Sequence, residues 1–243
     1  MIDLGTALAD PTPTTLRLDE IGAAATHYDL PVVLDVPPFE GPIPDDPTTV
    51  RRLAILARPD WILALRKHSD PDIERLCIAG TGDAAVVATR RPDAVVLRDL
   101  TGDPATPVIG ILGPSSALQF DAVNLPTHEL AKLLDSPLST AATARRLSAM
   151  GVPEHTAETL ATSLRHSESR TQIVGIASGT QFDEHLTVFD TQRGRLLVTS
   201  TLAADGVRWS SLTPGTAPRI GQAVRTLVAG MRRFSPSGCR APG

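Results

Sequence analysis

Short stretches in which apolar and polar residues alternate recur along the chain, between stretches with helical periodicity. Proline falls between these stretches, where it marks loops and turns. The first half predicts, in order, a strand at 15–18, a helix at 19–28 with Asp19 as its N-cap, a helix at 48–57, and strands at 61–67, 75–79, 84–89 and 94–98. The turns predicted at 80–83 and 91–93 have the composition of hairpins.

The second half repeats this order of elements. It predicts a strand at 122–125, helices at 127–134 and 157–166, strands at 172–177, 185–189, 195–201 and 207–211, and a last helix at 219–233. Four landmarks recur at similar offsets: Leu16 and Val123 at 107 residues, Thr48 and Thr156 at 108, Ile62 and Ile173 at 111, and Leu76 and Leu186 at 110. The similar offsets favour a duplicated unit. Two α+β segments that share only their element order are the alternative.

Strands that are joined by hairpin turns form antiparallel meanders. The pattern therefore predicts a single α+β domain over residues 1–243, with two pseudo-symmetric halves at about 14–113 and 121–233. We expect a central antiparallel β-sheet that is continuous across a pseudo-two-fold axis, with helical bundles packed beside it on one face. Part of the other face would then be exposed, and an exposed sheet face can bind a protein partner.

The composition narrows the class of partner. Hydrophobic residues make up 42% of the chain and charged residues 21%, which is ordinary for a globular domain. The formal net charge is −4 and no long run of Lys or Arg occurs, so nucleic acid is not expected as a partner. No apolar stretch reaches the length of a membrane span, and residues 1–10 lack the features of a secretory signal, so we expect a cytoplasmic protein without membrane contact. Residues 234–243, which include Cys239, are expected to form a disordered tail.

Candidate reactive groups are few and poorly spaced. The string Gly-Thr-Gly-Asp-Ala-Ala at 80–85 lies between two predicted strands, so it is interpreted as a hairpin turn rather than a dinucleotide-binding loop. The six histidines are dispersed, and Cys77 lies in an apolar strand that predicts a core position. We therefore expect no catalytic residue, no metal and no cofactor. An enzyme whose site assembles only in three dimensions stays open, and a deep polar pocket would favour it.

The C-terminal part carries a recognisable motif. Residues 190–231 read DTQRGRLLVTSTLAADGVRWSSLTPGTAPRIGQAVRTLVAGM. This segment resembles the C-terminal signature of the EspG family, chaperones associated with type VII (ESX) secretion. In that signature a D-x-x-x-G-R turn leads to a strand, a Pro-Gly-Thr corner and a terminal amphipathic helix. The segment LDVPPF at 34–39 and the hairpins between 61 and 100 also match the family in their order.

The resemblance implies a monomer or weak homodimer that binds a PE–PPE heterodimer at the helical tip of the PPE protein. The family's contact surface is the central sheet with the C-terminal helices and the loop between the second and third strands. The positions that correspond here are His68, Ser69, Asp70, Pro71, Asp72 and Ile73 in that loop, and Arg208, Trp209 and Ser211 in the sheet. We expect Ile73 at the centre of the contact, and Asp70 and Asp72 at its rim, where they would steer a basic client.

Overall fold

The computed structural model describes residues 12–30, 32–177 and 180–234. Within these ranges the strands are β1 Thr14–Arg17, β2 Trp61–Ser69, β3 Asp72–Thr81, β4 Ala84–Arg90, β5 Ala94–Asp99, β6 Val123–Pro126, β7 Ser167–Ala177, β8 Thr180–Thr191, β9 Gly194–Leu202 and β10 Arg208–Pro214. The helices are α1 Leu18–Tyr28, α2 Pro47–Ala57, α3 Ala105–Leu112, α4 Thr127–Asp135, α5 Thr140–Ala149, α6 Glu154–Arg165 and α7 Ala217–Arg233, and a short 3-10 helix covers Val32–Leu34. None of these helices is long and apolar enough to cross a membrane. The tail predicted at 234–243 lies outside the described residues except for Phe234.

All ten strands form one antiparallel sheet in the order β1-β5-β4-β3-β2-β7-β8-β9-β10-β6. The first five belong to the first half of the chain, and the last five repeat their order in reverse. This confirms the predicted α+β class and the central antiparallel sheet with two pseudo-symmetric halves. The repeat boundaries at 14–113 and 121–233 stay a prediction.

The pairing of β2 with β7 locates the pseudo-two-fold axis. Leu65 pairs directly with Ile173, and each also pairs with a leucine on its other side, Leu76 and Leu186 respectively. Leu65 and Ile173 are therefore equivalent positions. The predicted equivalence of Ile62 and Ile173 is wrong, because the two side chains belong to clusters on opposite faces of the sheet. Side chains alternate between the two faces along a strand, so a register that is wrong by an odd number of residues, here three, places a side chain on the wrong face.

Helices cover both faces of the sheet, which corrects the expectation of helices on one face. On one side, here called the α7 face, α3 and α7 pack on the central strands, with Val108, Val224 and Leu227 against Leu63 and its neighbours. On the opposite side, here called the bundle face, α1 and α2 pack on the first half and α4, α5 and α6 pack on the second half. Helix α3 was not predicted, because it contains Pro107 and Gly110, which are typical of loops.

Several element boundaries differ from the prediction, and hydrogen bonds explain two of them. Helix α1 begins after Arg17 rather than after Asp19, and the Arg17 N–H donates to Glu20 Oε2 at 2.8 Å in the manner of a capping box. The strands β3, β7 and β8 extend further than predicted, into polar residues at their ends. Helix α7 begins at Ala217 rather than at Arg219, because Thr216 caps it: Thr216 Oγ1 accepts a hydrogen bond from the Arg219 N–H at 3.4 Å.

The D-x-x-x-G-R and Pro-Gly-Thr motifs form one structural junction. The buried Arg195 side chain donates to Asp190 Oδ1 at 2.5 Å and to the carbonyl oxygens of Leu112 and Gly113 at 2.7 and 3.0 Å. Gly194 has a φ of +125°, and a Cβ there would lie 2.7 Å from the Leu118 nitrogen. The motif therefore attaches the connection between the two halves to the β8–β9 hairpin.

The G-x-G string and Cys77 have structural roles. Residues 82 and 83 make the tight turn between β3 and β4, with a φ of +54° at Gly82, as the hairpin interpretation predicted. Cys77 is fully buried on the bundle face, and this burial raises the pKa of its thiol to about 12. The prediction that Cys77 is a core residue is confirmed.

Candidate protein-binding face

The two central strands are left uncovered by helices on the bundle face over residues 64–68 and 170–174, whereas Ile62 is buried there. Helices α1 and α2 contact strands β1 and β3–β5, whereas α4 contacts β6 and β10 and α6 contacts β8. Between these two groups, side chains of β2 and β7 form a surface that we call the central face: Ala64, Arg66, His68, Arg170, Gln172 and Val174. All six are exposed or half-buried.

Two shallow clefts adjoin the central face. One has a volume of about 190 Å³ and is lined by Val33, Ala64, Arg66, Gln172 and Val174, among others. The other, about 220 Å³, lies beside α4, and its walls include Leu130, Leu134, Phe189 and Arg170. Both are open and mix apolar walls with arginine, which suits the surface of another protein better than an enclosed small molecule. Among the described residues, no group of three His, Cys, Asp or Glu side chains could hold a metal ion.

The segment His68–Ile73 is a tight hairpin rather than the predicted loop. Strands β2 and β3 extend to Ser69 and Asp72, so the turn consists of Asp70 and Pro71, with a cis peptide bond between them. His68 and Ile73 pair with each other and lie on the bundle face, where Ile73 is 41% exposed. Ser69 and Asp72 form the next pair and lie on the α7 face.

The predicted residues of β10 lie far from this hairpin. Four strand spacings separate β10 from β2, which corresponds to about 19 Å. Arg208 lies on the bundle face, but Trp209 and Ser211 lie on the α7 face, where Ser211 donates a hydrogen bond to Asn124. The nine predicted positions therefore do not form one patch. The sequence pattern could not show this, because the order of strands in the sheet decides which of them are neighbours.

A row of arginines crosses the bundle face beside the hairpin. Arg66 pairs directly with Arg75, and Arg75 pairs directly with Arg90. In the next row, His68 pairs with Arg170. Burial lowers the pKa of His68, and the charges of Arg66, Arg170 and Arg75 lower it further. We call Arg66, Arg75 and Arg90, together with Arg170 of the adjacent row, the cationic row.

Sequence reasoning missed the cationic row. Arg66 and His68 alternate within one predicted strand, which is a signal that both lie on the same face. Arg75 lies on the next strand, and Arg90 and Arg170 lie further along the chain. Only the strand register shows that all three lie near Arg66 on one face.

The sequence profile of the EspG family matches residues 41–226. The chain belongs to the EspG family. It is 32% identical over 210 residues to the ESX-3 secretion-associated protein EspG3 of Mycolicibacterium smegmatis, an alignment that covers 81% of this chain and 69% of that protein.

A solved structure shares the fold of this EspG family member. It is the Mycobacterium tuberculosis type VII secretion system chaperone EspG5 in complex with the PE25–PPE41 dimer. The TM-score is 0.72 at 17% sequence identity, and the alignment covers 93% of this chain and 97% of that one. The profile match and the 32% identity to EspG3 confirm the resemblance to the EspG family over most of the chain.

Proposed function

We propose that this protein is a cytoplasmic chaperone of a type VII (ESX) secretion system. It binds PE–PPE heterodimers, keeps them soluble and directs them to the secretion machinery. The observation that carries the proposal is the membership of the EspG family together with the uncovered central face between the two helical groups. EspG5 has the same fold and forms a complex with the PE25–PPE41 dimer, which supports the proposal.

The client's helical tip docks on the central face and against the β2–β3 hairpin. The hairpin projects Ile73 on the same face as His68 and Arg66, and the cleft beside α4 offers apolar walls at the other side of that face. A surface of this kind binds another protein without catalysing a reaction, so the protein acts as a chaperone and not as an enzyme. It is a monomer or weak homodimer when no client is bound, and neither nucleic acid nor membrane is its partner.

Co-expression with candidate PE–PPE pairs, followed by size-exclusion chromatography, tests the proposal. We expect one pair to co-elute with this chain as a stable heterotrimer. Failure of every pair to form a complex, with a folded chain, would contradict the chaperone function.

Within such a complex, Ile73→Glu tests the docking site. An apolar contact at the centre of an interface is replaced by a charge, so we expect binding to weaken by about 2 kcal/mol or more, mainly through faster dissociation. Val207→Glu is the matched control, because Val207 is similarly exposed, at 38%, near the distant β9–β10 hairpin. Surface plasmon resonance measures both. Binding by Ile73→Glu that equals the wild type would show that the client docks elsewhere.

A further inference from the structure

The cationic row breaks a rule of sheet stability. Like charges that lie directly opposite each other on neighbouring strands destabilise a sheet, and here three arginines occupy consecutive strands. One carboxylate compensates in part, since Asp35 accepts a hydrogen bond from Arg75 at 2.6 Å. Nε of Arg75 remains buried without a hydrogen-bond partner among the described residues. Departures from a local rule of this kind concentrate at functional sites.

Two cations of the row are available to a partner. Arg66 and Arg170 are both exposed, and in the described parts of the chain no carboxylate lies within ion-pair distance of either. Arg170 stacks its guanidinium 5.7 Å from the centre of the Phe189 ring, which holds it at the mouth of the cleft beside α4. The chain as a whole carries a net charge of −4, so this positive region is opposite in sign to the rest of the molecule.

We infer that the client's docking segment is acidic: a helix end whose carboxylates pair with Arg66 and Arg170 and whose apolar side chains enter the cleft beside α4. This inference rests on the proposed function and adds the chemistry of the client. It replaces the expectation of a basic client, which considered Asp70 and Asp72 alone. Those two aspartates lie at the exposed tip of the hairpin, and Asp72 lies on the opposite face from the cationic row.

The charged and the apolar residues of this surface contribute to binding in different ways. Arginine matches carboxylates with two parallel hydrogen bonds and is weakly hydrated, so it suits an interface that becomes partly dry. Charges of one sign on the rim also accelerate the encounter with an oppositely charged partner, an effect that salt screens. Apolar contacts near Phe189 and Leu134 are not screened. The salt dependence of binding therefore reports charged contacts, and its reduction in a variant of Arg66 and Arg170 assigns it to these two residues.

The test uses the full chain and the PE–PPE heterodimer that co-elutes with it. The variants are Arg66→Glu with Arg170→Glu, and the control is Arg98→Glu, an exposed strand arginine on the α7 face. Isothermal titration calorimetry at about 0.05 M and about 0.5 M NaCl gives the affinities. We expect the wild-type Kd to rise at least about 10-fold between these salts, and the double variant to bind about 100-fold more weakly at low salt. The control should bind as the wild type does.

Thermal unfolding of the free protein supplies a second readout. Arg66→Glu places a carboxylate opposite Arg75 and removes a repulsion, so we expect this variant to raise Tm by about 1–2 °C while it weakens client binding. Replacing a residue that has only a structural role would change Tm and the affinity for the client in the same direction. If the double variant binds with the wild-type Kd at both salts, the client is not acidic at this site, although the chaperone function stands. If the wild type itself does not bind at either salt, both the function and this inference fall.

Discussion

Arg195 joins separate parts of the chain through one buried guanidinium. Its side chain is 3% exposed and that of its partner Asp190 is 15% exposed, so both charged groups are largely desolvated. Such a pair is stable only when the remaining donors are also bonded, and here the Leu112 and Gly113 carbonyls accept them. Backbone bonds continue the junction, because the Arg195 carbonyl accepts from the Leu118 and Gly215 N–H groups. The family signature is thus explained by the stability of the junction rather than by reactivity.

Arg195→Ala is expected to lower the free energy of unfolding by about 3–5 kcal/mol, because it leaves Asp190 buried without its cation. The neighbouring Arg193→Ala is the control. Arg193 is exposed in the β8–β9 turn, and its replacement should change stability by no more than about 0.5 kcal/mol. Urea denaturation followed by circular dichroism measures both. Equal midpoints for the two variants would contradict the role given to Arg195.

At the residue scale, the sequence allowed the D-x-x-x-G-R turn to be predicted but not the contacts of Arg195. The positions of Asp190, Gly194 and Arg195 were recognisable as a motif, and Gly194 has the positive φ that its turn requires. The partners of Arg195 at 112 and 113 lie about 80 residues away in the chain. No local pattern identifies them, since backbone carbonyls are present at every position.

Among the elements, the β2–β3–β4 meander depends on a glycine that makes room for an aromatic ring. Trp61 of β2 pairs with Gly80 of β3, and its indole lies over the glycine where a side chain would otherwise be. Trp61 is 2% exposed, and the Arg232 guanidinium of α7 lies 5.3 Å from the ring centre. Trp61 thereby connects the central strands with the last helix.

Gly80→Ala and Gly110→Ala should change stability in opposite directions. A methyl group at position 80 would overlap the rigid Trp61 indole, so we expect a loss of about 1–3 kcal/mol. At position 110 in α3, a methyl group meets no atom within 4 Å and removes the entropic cost of glycine in a helix, which should gain about 0.5–1 kcal/mol. Urea midpoints and the tryptophan emission maximum check both. A gain of stability in Gly80→Ala would show that the ring moves freely.

Elements with a strong period were predictable, and others were not. The strands and the helices α1, α2, α4, α6 and α7 were recognised because one face of each is regularly apolar. Helix α3 was missed because its core residues surround a proline and a glycine. The central face was not predictable, because it exists only where two groups of helices leave a gap over β2 and β7.

At the scale of the whole molecule, the two halves share a core on the α7 face. One cluster there contains Leu63, Leu76 and Val87 from the first half, together with Val188 and Leu197 from the second half. Helix α7 comes from the end of the chain, yet it contacts β2 of the first half as well as β7 and β8. The β2–β7 ladder adds eight directly paired positions across the boundary. The two pseudo-symmetric halves therefore share one core on the α7 face, and each also has a cluster of its own on the bundle face.

A shared core predicts that the halves unfold together. Native-state hydrogen exchange, read by mass spectrometry on peptides from β4 and β9, should give the same opening free energy, within about 1 kcal/mol, for their slowest amides. Both strands should also respond equally to low concentrations of denaturant, since each opens only when the whole sheet does. The hairpin around Asp70 and Pro71 is the internal control, because its exposed amides should exchange early. Early exchange throughout β9 while β4 stays protected would instead show two units that unfold independently, and the shared cluster of Leu63, Val87 and Leu197 would then contribute little to cooperativity.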